Sequence, residues 1–196
     1  MRLAGLLAVV LAACTPEIAP GAYLCGPDQA CPDDLACDGA SHICVLPSQV
    51  TAFACAAGTE AEPNNGLATA QPLRTFECVS QPVELVGCAE GADSEDWYQF
   101  DVPATCTTVG VGARLTFPLA FEVLGLELVG NDGATIATGT ACPNQSAEDG
   151  DEQRCLEQAL VPGGHYAVRV LRSGEGSCDG ACSYNRYTLS VRLETP

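Results

Sequence analysis

Leu124-Gly125-Leu126-Glu127-Leu128-Val129-Gly130-Asn131-Asp132-Gly133 sets three leucines on alternate positions and then runs into Asn-Asp-Gly. A period of two puts alternate side chains on one face of an extended strand. Asn, Asp and Gly accept the positive φ that a tight hairpin requires, so the stretch reads as a half-buried strand turning back on itself. The same grammar recurs on both sides. In Tyr98-Gln99-Phe100-Asp101-Val102 the apolar residues share one face. Tyr166, Val168 and Val170 alternate with His165, Ala167 and Arg169, after a turn at Pro162-Gly163-Gly164. Tyr187, Leu189, Val191 and Leu193 alternate with Thr188, Ser190 and Arg192. No stretch sustains a 3.6-residue period. About eight strands with one apolar face each are satisfied by two sheets packed face to face, which predicts an all-β sandwich over residues 58–196.

Upstream the composition changes. Residues 25–44 read C-x5-C-x5-C-x6-C, with prolines, aspartates and glycine between the cysteines and almost no core. So short a segment cannot bury enough apolar surface to fold alone, whereas disulfides contribute about 2–4 kcal/mol each. Cys25, Cys31, Cys37 and Cys44 allow three pairings, of which the interlaced Cys25–Cys37 and Cys31–Cys44 is preferred. A zinc knuckle lacks the usual C-x2-C spacing, and only His42 lies nearby. Residues 45–57 read as a linker.

The N-terminus supplies an address. Met1-Arg2 is followed by an apolar run from Leu3 to Leu11, then Ala12-Ala13-Cys14. This is an export signal, too short to span a bilayer. Leu11-Ala12-Ala13-Cys14 resembles the lipobox of bacterial lipoproteins, which implies removal of residues 1–13 and acylation of Cys14. Residues 14–24 then read as the lipidated cysteine and a tether whose last ten residues reach about 33–36 Å when stretched. The chain has 13 cysteines; with Cys14 acylated, the remaining twelve can close six disulfides. Besides the four named, these are Cys55, Cys78, Cys88, Cys106, Cys142, Cys155, Cys178 and Cys182. Eight cysteines permit 105 pairings, and only Cys142 with Cys155 and Cys178 with Cys182 suggest themselves by spacing. Thr15 is not the Asp that retains some enteric lipoproteins in the inner membrane, so the outer membrane is the expected anchor.

Charge narrows the partners. There are 25 Asp and Glu against 8 Arg and no Lys, for a formal charge of −17. Such a surface repels nucleic acid phosphates, and attachment to a membrane must come from acyl chains rather than from electrostatics.

Several fragments fall in a recognisable order: Glu62-Pro63-Asn64-Asn65, Ala68-Thr69-Ala70-Gln71-Pro72-Leu73, Asp96-Trp97-Tyr98-Gln99-Phe100, the stretch from Leu160 to Val170, and Tyr187-Thr188-Leu189-Ser190-Val191. Together they resemble the bacterial pre-peptidase C-terminal domain across residues 60–194. The resemblance implies a jelly-roll-like sandwich that is not itself catalytic. In the collagenase branch such domains bind collagen, and some carry calcium. The eight cysteines after residue 50 are not typical of that family, so its ligand specificity does not transfer. The family's calcium pattern, E-x-E-x-N-[DN] followed by two acids three residues apart, is met by Glu60, Glu62, Asn64 and Asn65, then Asp93 and Asp96. The residues support this independently: in an extended segment positions 60, 62 and 64 share a face, Pro63 keeps Glu62 out of the helical region, and calcium favours six to eight oxygen ligands. The alternative is a solvated acidic edge with a turn at Asn64-Asn65-Gly66.

Other candidates are weaker. Glu148-Asp149-Gly150-Asp151-Glu152 lacks the alternation of calcium loops, Trp97 reads as packing at the sandwich rim, and neither His42 nor His165 reads as a catalytic base. No G-x-S-x-G, H-E-x-x-H, P-loop or dinucleotide motif is present. The expected function is a non-catalytic, lipid-anchored envelope protein whose sandwich binds an extracellular or envelope protein or polysaccharide, or serves as a structural module. The alternatives are an accessory or inhibitor of a secreted protease, and a carboxylate-pair hydrolase, which needs no local motif.

Overall fold

The computed structural model describes residues 18–56, 60–89, 95–143, 150–173 and 184–196. Cys14 and the signal segment lie outside them, as do Asp93, Cys178 and Cys182.

The Asn131-Asp132-Gly133 turn joins β7 (Leu124–Gly130) to β8 (Thr135–Thr138). Gly133 takes φ +81°, and Asp132 Oδ1 accepts the Ala134 N–H at 3.0 Å. Around this hairpin the flanking strands pair in nested antiparallel fashion. β6 (Val109–Pro118) meets β10 (Asp151–Val161), β5 (Glu95–Val102) meets β11 (Gly164–Arg172), and β4 (Val83–Ala89) meets β12 (Asn185–Glu194). Rolled up, this ribbon gives one sheet of order β4-β12-β6-β10 facing another of order β5-β11-β7-β8, the strand arrangement of a jelly roll. The parallel strand β3 (Gln71–Pro72) extends one sheet beside β5, and β9 (Thr140–Ala141) extends the other beside β10.

The core between the sheets is drawn from the alternating positions. Leu124, Leu126 and Leu128 of β7 face Leu115 of β6 and Leu189 of β12, all fully buried. Truncating such a leucine to alanine costs about 2–5 kcal/mol. One expectation fails at β5, where Asp96, Trp97 and Tyr98 are buried in succession. Tyr98 enters the core, while Trp97 packs on the outer face with Ala70, Val129 and Ala167 rather than at the rim, with the Arg169 guanidinium 5.0 Å from its ring. Ala167 is thereby buried on what the alternation marked as a polar face. A 3-10 turn at Leu67–Thr69 supplies this second cover.

The cysteine-rich segment pairs β1 (Ala36–Cys37) with β2 (Cys44–Val45) and is closed by Cys25–Cys37 and Cys31–Cys44. Cys55–Cys88, Cys78–Cys106 and Cys142–Cys155 lie in and around the sandwich. The proposed boundaries between tether, module, linker and sandwich are not mechanical breaks. Gly21 N–H donates to the Cys44 carbonyl, Cys44 N–H to that of Tyr23, and Leu24 bridges Ile43, so the tether is joined to the module before Cys25. Within the described residues, 45–56 form a joint rather than a free connector. Thr51 N–H donates to Asp38 Oδ1 at 2.6 Å, and Phe53 stacks on Tyr184 at 4.1 Å and meets Phe121 edge-on at 5.3 Å. A side chain at position 39 would strike the Phe53 backbone, 2.4 Å from its nitrogen, so Gly39 permits the crossing. Hydrogen bonds from the Ser41 hydroxyl and the Thr51 amide hold the Asp38 carboxyl down at about 2.

Arg186 completes the joint. It donates to the Gly39 carbonyl at 3.5 Å and to His42 Nδ1 at 3.3 Å, with its guanidinium 5.8 Å from the Phe53 ring. Burial, and then the Arg186 charge, lower the His42 pKa from 6.5, against an opposing pull from Asp151. The folded state therefore favours neutral imidazole. That contribution is whole above about pH 6.5 and is lost as the pH falls towards the lowered value. Amide exchange in residues 25–53 should accelerate relative to the sandwich core as the pH drops below about 6, and His42→Gln should flatten this dependence. Phe53→Ala should weaken the same joint by about 1–3 kcal/mol, less than for a fully buried phenylalanine, measured by chemical denaturation.

Candidate metal centre

The chain from Glu60 to Leu73 runs as a strap along the edge of β5. Asn64 accepts the Trp97 N–H at 2.9 Å, β3 lies beside Tyr98 and Gln99, and Leu73 N–H donates to the Gln99 carbonyl at 2.8 Å. This brings the strap's polar side chains over Asp96 of β5, and Asn64 and Asp96 are both 0% exposed. Such groups require partners, because an unpaired buried polar atom costs about 1–3 kcal/mol and a charge costs more.

The donors to the cluster come from three strands. Glu60 Oε1 accepts the Cys88 N–H of β4 at 2.7 Å, and its Oε2 accepts the Tyr98 hydroxyl at 2.5 Å. Tyr187 of β12 donates to Asp96 Oδ2 at 2.5 Å, and the two phenol oxygens are 2.6 Å apart. Burial, reinforced by the hydrogen bond to Glu60, pushes the Tyr98 pKa far above 10; burial, reinforced by the neighbouring phenol and Asp96, does the same for Tyr187. Both phenols stay protonated and serve as donors. Gly87 stands opposite Tyr187 in the sheet, where a Cβ would lie 2.2 Å from the phenol ring. Only glycine leaves the ring room to reach the cluster.

Glu60, Glu62 and Asp96 each present one carboxylate oxygen within 4.8 Å of the other two. Like charges at that separation repel by about 3–4 kcal/mol per pair at an effective dielectric of about 20. Glu62 Oε2 accepts the Asn64 N–H at 3.0 Å, and among the described residues no Arg pairs with Glu60 or Glu62. The Asn64 side chain bears on the same question. With its nitrogen donating to Glu60 Oε2 at 3.3 Å, its oxygen faces both Glu62 oxygens and Asp96 Oδ1 at 3.2–3.3 Å. Acceptor oxygens facing one another are reconciled by a cation among them, or by turning the amide over so that its nitrogen donates to Glu62 and Asp96. Three carboxylates and an amide form an all-oxygen set of the kind calcium takes.

Of the residues singled out in the sequence, Glu60, Glu62, Asn64 and Asp96 are thus brought together. Asn65 is exposed beside them, and Asp93 lies outside the described residues. Of the acidic stretch at 148–152, Glu148 and Asp149 lie outside the described residues, and Glu152 of β10 pairs with Arg154 at 2.6 Å. Tyr98, Tyr187 and Gly87 escaped the sequence reading. Alternation marks both tyrosines as inward-facing, but that pattern does not distinguish a phenol in an oil-filled core from one capping a carboxylate.

No family model matches this chain, and no curated protein matches it. Among solved structures, the pre-peptidase C-terminal domain of a collagenase from Bacillus anthracis superposes with a TM-score of 0.40 at 16% identity, covering 62% of this chain and 97% of that one. A periplasmic inhibitor of g-type lysozyme from Salmonella Typhimurium gives 0.32 at 14% identity, covering 62% and 98%. Its counterpart from Aeromonas hydrophila gives 0.33 at 15%, covering 63% and 98%.

Tyr187→Phe leaves Asp96 short of a donor and should cost about 1–3 kcal/mol in urea denaturation. Gly87→Ala should cost at least as much, because the ring must move. Asn65→Ala should stay within about 0.5 kcal/mol.

Proposed function

We propose that this protein is an exported, lipid-anchored, non-catalytic component of the cell envelope, whose sandwich binds an envelope or extracellular protein or polysaccharide and whose strap is fastened by calcium. Glu60, Glu62, Asn64 and Asp96 would hold the ion, with Asp93 as a further ligand. The observation that carries the non-catalytic reading is the burial of the cluster's inner end: Asn64 and Asp96 are fully buried and both phenols are held protonated by burial, while Glu60 is half-buried and Glu62 faces solvent. Catalysis by a carboxylate pair needs substrate between the two acids, whereas here their lone pairs turn inward to join the strap to β4, β5 and β12. An ion at this position offsets the carboxylate repulsion and stiffens the edge of the sandwich. The five disulfides among the described residues suit an oxidising compartment, and the lipobox-like Leu11-Ala12-Ala13-Cys14 supports acylation at Cys14.

Calcium added to chelator-treated protein should raise the melting temperature by about 5–10 °C at roughly 100 times its dissociation constant. Glu62→Gln should abolish the rise; an unchanged melting temperature in the parent protein would refute the metal. The intact mass of the native protein under non-reducing conditions should correspond to an acylated chain starting at Cys14 with no free thiol.

A further inference from the structure

A concavity of about 770 Å³ lies away from the metal centre, on the outer face of the sheet containing β4, β12, β6 and β10. The strand register sets Ser190 and Cys155 on either side of Arg114, and Thr188 and Gln153 on either side of Thr116. Arg114 is exposed and, alone among the described arginines, has no hydrogen bond, ion pair or ring contact. Its neighbour Arg192 is occupied by Glu194 at 3.0 Å. That pair lies flat against the sheet, because a Cβ on Gly112 would sit 3.3 Å from Arg192 Nε, and one on Gly110 would sit 3.2 Å from Glu194 Cγ. The glycines keep the floor low around one uncommitted guanidinium. On a chain with 25 acidic residues, a cation without a carboxylate partner is conspicuous.

We infer that this groove binds a saccharide that presents a carboxylate to Arg114. Guanidinium and carboxylate match in a two-pronged hydrogen-bonded pair. The hydroxyls of Thr116, Thr188 and Ser190 and the amide of Gln153 offer the mixed donors and acceptors that sugar hydroxyls require. A peptide fits less well. β12 and β6, which form the groove floor, are paired on both sides, so the floor offers no backbone edge for strand addition, and no aromatic side chain lines the groove to anchor an apolar residue. The same lack of aromatics denies stacking to sugar rings, so recognition rests on Arg114 and hydrogen bonds. Glu84, Glu157 and Glu194 also line the groove, which with the net charge of −17 disfavours densely charged polyanions and selects for isolated uronates. The inference rests on the binding-module reading above and gives it a place and a ligand chemistry.

The test is calorimetric titration of the mature protein with a glucuronate-containing oligosaccharide, its neutral glucose counterpart and an acidic peptide. The acidic sugar should bind at least about tenfold more tightly than the neutral one, and Arg114→Gln should erase that preference without shifting the melting temperature, since the side chain has no partner to lose. Equal affinity for both sugars, or an unaltered preference in Arg114→Gln, would overturn the site. An acidic peptide bound as tightly as the sugar through Arg114 would overturn the saccharide assignment. If Arg114→Gln still captures envelope material as well as the parent does, the groove is wrong while the binding-module reading stands. Cleavage of an oligosaccharide bound through Arg114 would sink the non-catalytic reading and leave the groove in place.

Discussion

The nested pairing of β4 with β12, β5 with β11, β6 with β10 and β7 with β8 is the constraint on which everything else in the sandwich depends. Once Asn131-Asp132-Gly133 turns the chain, each successive pair outward sits against the last, and the growing ribbon must roll to bury its apolar face. The entropic cost of closure rises only slowly with loop length, but the outermost pair, joining Val83 to Val191, brings together the pairing partners most distant in sequence. Such non-local pairing makes for slow folding. Cys55–Cys88 and Cys78–Cys106 restrict the unfolded chain ahead of β4 and around β5, where the sequence separations are large.

That pairing also creates the polar cluster. Rolling the ribbon brings β4, β5 and β12 to one end of the core, so Cys88, Asp96, Tyr98 and Tyr187 converge where the strap enters. The cluster is an unusual way to finish a hydrophobic core: two phenols extend it up to a layer of carboxylates. Burial that would be costly for a lone acid is offset by donors held in fixed directions, and the residual negative charge is what would attract a divalent ion. At the far side of the joint, Arg186 plays the opposite part, setting a cation against Phe53 and Phe121 and thereby coupling the cysteine-rich module to β12.

Much of the strand pattern was legible in the linear chain. Alternation at Leu124-Leu126-Leu128, at Tyr166-Val168-Val170 and at Tyr187-Leu189-Val191 is local, and each stretch is a strand. Alternation places Glu60, Glu62 and Asn64 on one face of an extended segment, but the chain bends at Glu60 and Glu62, and it is the strap's path over β5 that gathers them near Asp96. Trp97 and Ala167 misled because alternation reports one buried face and is blind to a second layer, here supplied by Leu67–Thr69. The segment at 45–57 looked like a connector because its one aromatic residue, Phe53, acquires its ring partners only on the sandwich, and Thr51 meets Asp38 only once the cysteine-rich module has folded back.

The amino-acid sequence alone determined that this would be an all-β, cysteine-rich, strongly acidic chain with an acidic segment leading into the sandwich, because composition and period-two patterning are properties of near neighbours. Only the tertiary structure decided that Tyr98 and Tyr187, 89 residues apart, touch beneath Glu60. It likewise decided that Gly87 makes room for one of them and that Arg114 faces an open groove without forming an ion pair among the described residues. Those relations depend on strand order and register, and register is settled by how two whole sheets pack rather than by any single stretch of residues.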